Sequence, residues 1–133
     1  MTARFSVSFP RNLLEELEKI SEVEGLSRSA VLQRASEMYV AQMKWKTSEG
    51  NVAGALLIHY NHEVRGLEEK LTDTQHDFLD VIVSSLHVHL TKEECMLVVV
   101  VKGDVKRIRE LVDEISKLRG IKSWQFSSVN LVT

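Results

Sequence analysis

The stretch TQHDFLDVIVSSLHVHLTKEEC, residues Thr74 to Cys95, carries three of the chain's five histidines and its only cysteine. Its apolar run, VIVSSLHVHL, reads as a strand, and alternation in a strand sends residues i and i+2 to one face. His87 and His89 therefore project side by side, roughly 6.5 to 7 Å apart at Cα. Five residues separate His89 from Cys95, and a hairpin loop there sets Cys95 opposite His89 on the same face. His76 stands ahead of the strand and can complete the group from the same chain or from a neighbouring one. A mostly apolar strand has little packing reason to carry two imidazoles on one face, so the candidate metal ligands are His76, His87, His89 and Cys95. Three imidazoles and a thiolate suit borderline ions, Ni(II) or Cu(II) in a planar site and Zn(II) in a tetrahedral one. Four protein ligands leave a four-coordinate ion no open position, which argues against a metalloenzyme.

Working outward, 133 residues suffice for one ordinary domain or two small ones, and the pattern favours two. The chain is 44% hydrophobic and 27% charged, with one proline and no long uncharged apolar run, and no secretory signal follows Met1. An intracellular, cytoplasmic protein is expected. A single cysteine excludes an intrachain disulfide and, in a reducing compartment, stays available to a soft metal. With a net charge of −2, any contact with nucleic acid has to come from a local patch.

The segment ARFSVSF, Ala3 to Phe9, alternates cleanly, with Phe5, Val7 and Phe9 on one face and Arg4, Ser6 and Ser8 on the other. A lone strand is not stable, and its expected partner is the same strand of a second chain. Pro10 stops it, and Asn12 can cap a helix whose stripe is Leu13, Leu14, Leu17 and Ile20, ended by Gly25. A second helix is expected from Ser27 or Ser29 to about Lys44. Strand, helix, glycine turn and helix over residues 3 to 44 resemble the ribbon-helix-helix DNA-binding module, whose two-stranded ribbon enters the major groove of double-stranded DNA. The resemblance assigns base reading to Arg4, Ser6 and Ser8, and phosphate contact to Ser27, Arg28 and Ser29 at the start of the second helix.

Lys44–Asn51, KWKTSEGN, reads as a linker between residues 1–46 and 52–133. Beyond it the pattern predicts a strand in Ala53–Tyr60, a helix from about Asn61 to Leu71, and strands in Leu79–Leu90 and Cys95–Lys102. A helix in Asp104–Arg119, with Asp104 as N-cap and Gly120 past its end, and a strand in Ile121–Val129 complete it. The order βαββαβ is that of the ferredoxin-like split βαβ fold, so the fold class is α+β. ALLI, VIVSSL and MLVVVV are apolar on both faces, so the sheet face away from the helices is expected to be buried against another subunit.

Both modules together, with Gln75-His76, Leu86-His87-Val88-His89, Cys95, Tyr60-Asn61-His62-Glu63 and Lys102-Gly103-Asp104, resemble the nickel-responsive regulator family NikR over nearly the whole chain. The resemblance implies an ACT-type second domain, a homotetramer and a planar Ni(II) site, with His87, His89 and Cys95 from one subunit and His76 from another. It also implies that Gln75, Tyr60, His62 and Glu63 support the ligands or line the interface. Nickel would then control operator binding, as a repressor of nickel-uptake genes. Where relatives carry acidic residues that hold a further cation between the domains, this chain has Ala30 and Arg34, so that site is not expected here. Gln33 stands where a basic residue would aid phosphate binding. Two other readings use the same fold. One is an ACT-type regulator responding to another metal or a small molecule. The other is a metalloenzyme, for which Asp77, Glu93 and Glu94 are the local acidic candidates.

Overall fold

Burial alternates with a period of two along Asn51–Asn61 and Glu94–Asp104, and these two segments form one antiparallel sheet with two more. The computed structural model describes residues 1–131. Its elements are helices α1 (Arg11–Glu24) and α2 (Arg28–Met43), a 3-10 turn (Lys44–Lys46), strand β1 (Asn51–Asn61), helix α3 (Leu67–His76), strands β2 (Ile82–His89) and β3 (Glu94–Asp104), helix α4 (Val105–Ser116) and strand β4 (Ile121–Asn130). The chain divides into two compact units, Met1–Ala41 and Gln42–Thr133.

In the first unit α1 ends at Gly25, whose φ of +66° lets the backbone turn while its N–H and that of Leu26 bond back to Glu22 and Ser21 carbonyls. The Ser27 hydroxyl accepts the Ala30 N–H and so caps α2. Helix α1 begins at Arg11 behind Pro10, so Asn12 lies inside the helix and is not its cap. Residues 1–10 belong to no helix or strand. The expected strand at 3–9 is not formed within one chain, because a two-stranded ribbon needs a second strand that a single chain does not supply. Val31 is the sole buried residue of the two helices, while Phe5, Val23, Met38 and Tyr39 are exposed.

In the second unit the strand order is β2-β3-β1-β4. Leu56 stands opposite Val99 on one side and Phe126 on the other, and all three are buried. Val105, Ile108, Leu111, Val112 and Ile115 form the buried stripe of α4, and Leu67 and Leu71 that of α3, so both helices pack on that face. The Asp104 side chain accepts the Lys106 N–H at 2.9 Å and starts α4 where the sequence predicts. On the opposite face Leu57, Leu86, Val100 and Val129 are exposed.

Four boundaries differ from expectation. Strand β2 begins at Ile82 and not Leu79, because the Val81 and Ile82 N–H groups bond to the Phe78 carbonyl in a turn. Strand β1 runs on to Asn61, whose side-chain oxygen accepts the Glu63 N–H and whose carbonyl accepts the Val64 N–H. This turn, followed by Gly66 at φ +79°, delays α3 to Leu67 and carries it on to His76. Helix α4 stops at Ser116, so Gly120, at φ +101°, serves the turn into β4 and not the helix end. The stretch read as a linker is partly built in. Trp45 is buried with its ring 4.7 Å from that of Phe126, and the Arg109 guanidinium donates to the Trp45 and Ser48 carbonyls at 2.8 and 2.9 Å. An indole placed beside a core is withdrawn from water whatever the polarity of its neighbours.

Candidate metal centre

Antiparallel pairing of β2 with β3 sets His89 opposite Cys95 and His87 opposite Leu97, on the face that the helices cover. The hairpin is closed by the Leu90 N–H bonded to the Glu94 carbonyl, and the Thr91 hydroxyl accepts the Glu93 and Glu94 N–H groups. Because β2 is an edge strand, His87 and His89 remain exposed there, while Cys95 on the next strand is fully buried.

From the other side β1 brings Tyr60 opposite Cys95, and the Asn61 turn swings His62 over the thiol. The His62 backbone N–H donates to the Glu93 carbonyl at 2.9 Å and ties this turn to the hairpin. Cys95 Sγ lies 3.5 Å from His62 Nδ1 and 3.5 Å from His89 Nδ1. The His87 and His89 rings are 4.8 Å apart at their centroids. The Tyr60 hydroxyl donates to Glu68 Oε1 at 3.2 Å and lies 3.1 Å from His87 Nε2. His87 Nε2 is also 3.7 Å from Glu68 Oε1, so a charged His87 would pair with that carboxylate. Among the described residues two donor sets capable of holding a metal ion result, His62, His89 and Cys95, and Glu68, His87 and Cys95.

Burial sets the protonation of this cluster. It pushes the Tyr60 hydroxyl well above its ordinary value, and the negative Glu68 and, once ionised, Cys95 add to the shift, so the phenol stays neutral. Burial likewise raises the Cys95 thiol, and Glu68 raises it further, against a smaller opposing pull from the Tyr60 hydrogen bond. A cation arriving at Cys95 therefore has to displace a proton.

His76 ends α3 and belongs to neither donor set. Gln75, next to it, donates to the Leu71 carbonyl at 3.2 Å and borders a cleft of about 230 Å³ shared with Glu68, Ser85 and His87. Glu63 is exposed and contributes to neither set. Glu68 was not singled out in the sequence. An acidic residue in a helix's first turn is ordinary, and only its place above Tyr60 distinguishes it. His62 entered only through resemblance, and in the folded chain it touches the thiol itself.

In the first unit Arg4, Ser6 and Ser8 are exposed in the segment before α1. Ser27 caps α2, Arg28 pairs with Glu18 at 3.0 Å, and the Ser29 hydroxyl accepts from Gln33 at 3.3 Å. Ala30 is half-buried, and Arg34 is exposed. No helix of the described residues is long and apolar enough to cross a membrane.

Comparison with known proteins follows the same division of the chain. Residues 53–129 match the family model described as NikR C terminal nickel binding domain. A protein of Dictyoglomus thermophilum named "Putative nickel-responsive regulator" is 42% identical over 130 residues, covering 97% of this chain and 96% of that one. One of the same name from Methanocaldococcus jannaschii is 40% identical over 126 residues, covering 93% and 89%. The ACT domain from GTP pyrophosphokinase of Chlorobium tepidum superposes with a TM-score of 0.50 at 13% identity, over 57% of this chain and 97% of that domain. An uncharacterised Thermotoga maritima protein does so with a TM-score of 0.54 at 15% identity, over 60% and 99%. At such identities the two structures speak for the fold alone, a four-stranded antiparallel sheet of ACT type.

Proposed function

The chain belongs to the family of nickel-responsive regulators that carry the NikR C-terminal nickel-binding domain, and from that premise we propose that it is a DNA-binding repressor of nickel-uptake genes. Nickel would be held by His87, His89 and Cys95 of one subunit and by the partner subunit's His76. The observation that supports this reading is the division of the ligands. Three are gathered at one end of the β2–β3 hairpin, and His76, at the end of α3, is in neither donor set of its own chain. The donor chemistry fits, since imidazole and thiolate suit nickel, and four protein ligands leave no vacant position for an enzyme's substrate. When bound, nickel would supply a bridge between subunits.

In this reading residues 1–46 are a ribbon-helix-helix domain, dimeric through the segment at 3–9. Residues 52–133 form the metal-binding and tetramerising domain, whose uncovered apolar sheet face meets another subunit. Arg4, Ser6 and Ser8 read the operator, and Ser27, Arg28 and Ser29 meet its phosphates. Ligands divided across an interface favour the subunit arrangement that unites them, and that arrangement spaces two ribbons for two half-sites. The protein works in the cytoplasm, where the operator lies and the thiol stays reduced. Gln75 and Tyr60 steady the ligands, and Glu63 lines the interface.

The test is fluorescence anisotropy of a labelled operator fragment, with chelator and then with stoichiometric Ni(II), for the intact protein and Cys95→Ala. Nickel should tighten binding in the intact protein, and the variant should lose more than the roughly 10- to 100-fold in metal affinity that supporting residues cost. Equal DNA binding with and without nickel would end the proposal.

A further inference from the structure

The His62 ring rests against Cys95, and the distances there have a geometric meaning. With metal–sulfur bonds of about 2.3 Å and metal–nitrogen bonds of about 2.0 to 2.1 Å, tetrahedral ligands place sulfur and nitrogen about 3.6 Å apart, and adjacent planar ligands about 3.1 Å. Cys95 Sγ is 3.5 Å from both His62 Nδ1 and His89 Nδ1. The three donor atoms lie within 4.8 Å of one another, and all belong to one chain. His87, which also comes within donor reach of Cys95 in the set with Glu68, is held 3.1 Å from the Tyr60 hydroxyl and 3.7 Å from Glu68. Among the described residues the His62 ring has no such competitor, and its backbone is pinned to the hairpin at Glu93.

We propose that His62, His89 and Cys95 form a second metal site inside one subunit, overlapping the nickel centre at His89 and Cys95 and suited to divalent ions that favour tetrahedral coordination, zinc above all. The inference deepens the reading of the nickel centre and rests on it for the competing set. A tetrahedral ion taken by His62 needs no residue from a second subunit. It fills the thiolate without joining subunits, and the protein thus distinguishes ions by which histidine they draw to Cys95, His62 or His87. Specificity then lies in the alternative geometry the chain offers to the wrong ion, and not in affinity alone.

The experiment uses the full chain and Co(II), whose optical bands report both tetrahedral geometry and thiolate bonding, beside Ni(II). The variants are His62→Ala, His62→Gln and His76→Ala, each checked for fold by circular dichroism. Co(II) affinity should fall at least about tenfold in both His62 variants, with loss of the tetrahedral bands, and stay within about twofold in His76→Ala. Ni(II) affinity should show the reverse dependence. Co(II) binding that survives both His62 substitutions in folded protein, or is lost in His76→Ala, overturns the inference and leaves the nickel reading standing. Ni(II) binding indifferent to His76 while Co(II) still requires His62 upholds the inference and removes the nickel reading.

Discussion

At the scale of single residues, the thiol of Cys95 decides how the centre answers to pH. Burial, with Glu68 behind it, holds the thiol above its ordinary value, so at neutral pH the metal-free side chain carries a proton. A raised acid group binds a cation only by releasing that proton, so affinity must weaken as pH falls. Each proton released makes this about tenfold per pH unit. Nickel affinity measured by chelator competition should thus drop at least about tenfold between about pH 8 and pH 7. A flat profile would remove Cys95 from the ligands. Much of this cluster is legible in the bare sequence, because His87 and His89 obey the two-residue period and the short loop carries Cys95 back opposite His89. Glu68 is not, because its approach to Tyr60 depends on where α3 begins, which the Asn61 turn and Gly66 set together.

Elements show where local rules hold and where a neighbour overrides them. Strand β3, helix α4 and the Asp104 cap follow directly from a continuous apolar run, a helical stripe and a capping side chain. Helix α3 does not, since no hydrophobic pattern marks the five residues between Asn61 and Leu67 as a turn. The N-terminal alternation of Phe5, Val7 and Phe9 is equally clear, yet a strand needs a partner, and no segment among the described residues provides one. Within the sheet, Gly54 allows β1 and β4 to approach closely. A Cβ there would lie 2.5 Å from the Ser127 carbonyl oxygen and 2.9 Å from the Phe126 ring. Gly54→Ala should cost about 1 to 3 kcal/mol as overpacking, read as a lower midpoint in urea unfolding. An unchanged midpoint would mean that β4 yields freely.

In the whole molecule each of the two units leaves large apolar side chains exposed. The unit Met1–Ala41 buries one side chain, Val31, and the unit that follows leaves Leu57, Leu86, Val100 and Val129 open on one sheet face. Strands apolar on both faces predict that second surface, but no sequence period tells what covers it or at what angle. In the proposed tetramer the doubly substituted Leu57→Asp, Val129→Asp protein should sediment as a smaller species than the parent and lose whatever nickel affinity depends on a second subunit. Unaltered sedimentation would turn attention to another surface. The strand order also governs how the molecule comes together in time. His89 and Cys95 are six residues apart, His62 and Cys95 are 33 apart, and Val52 has to find Asn130 near the far end of the chain. Short loops close sooner than long ones. A refolding chain therefore unites His87, His89 and Cys95 while β1 is still searching for its place, and an ion present at that moment meets these three before His62 arrives.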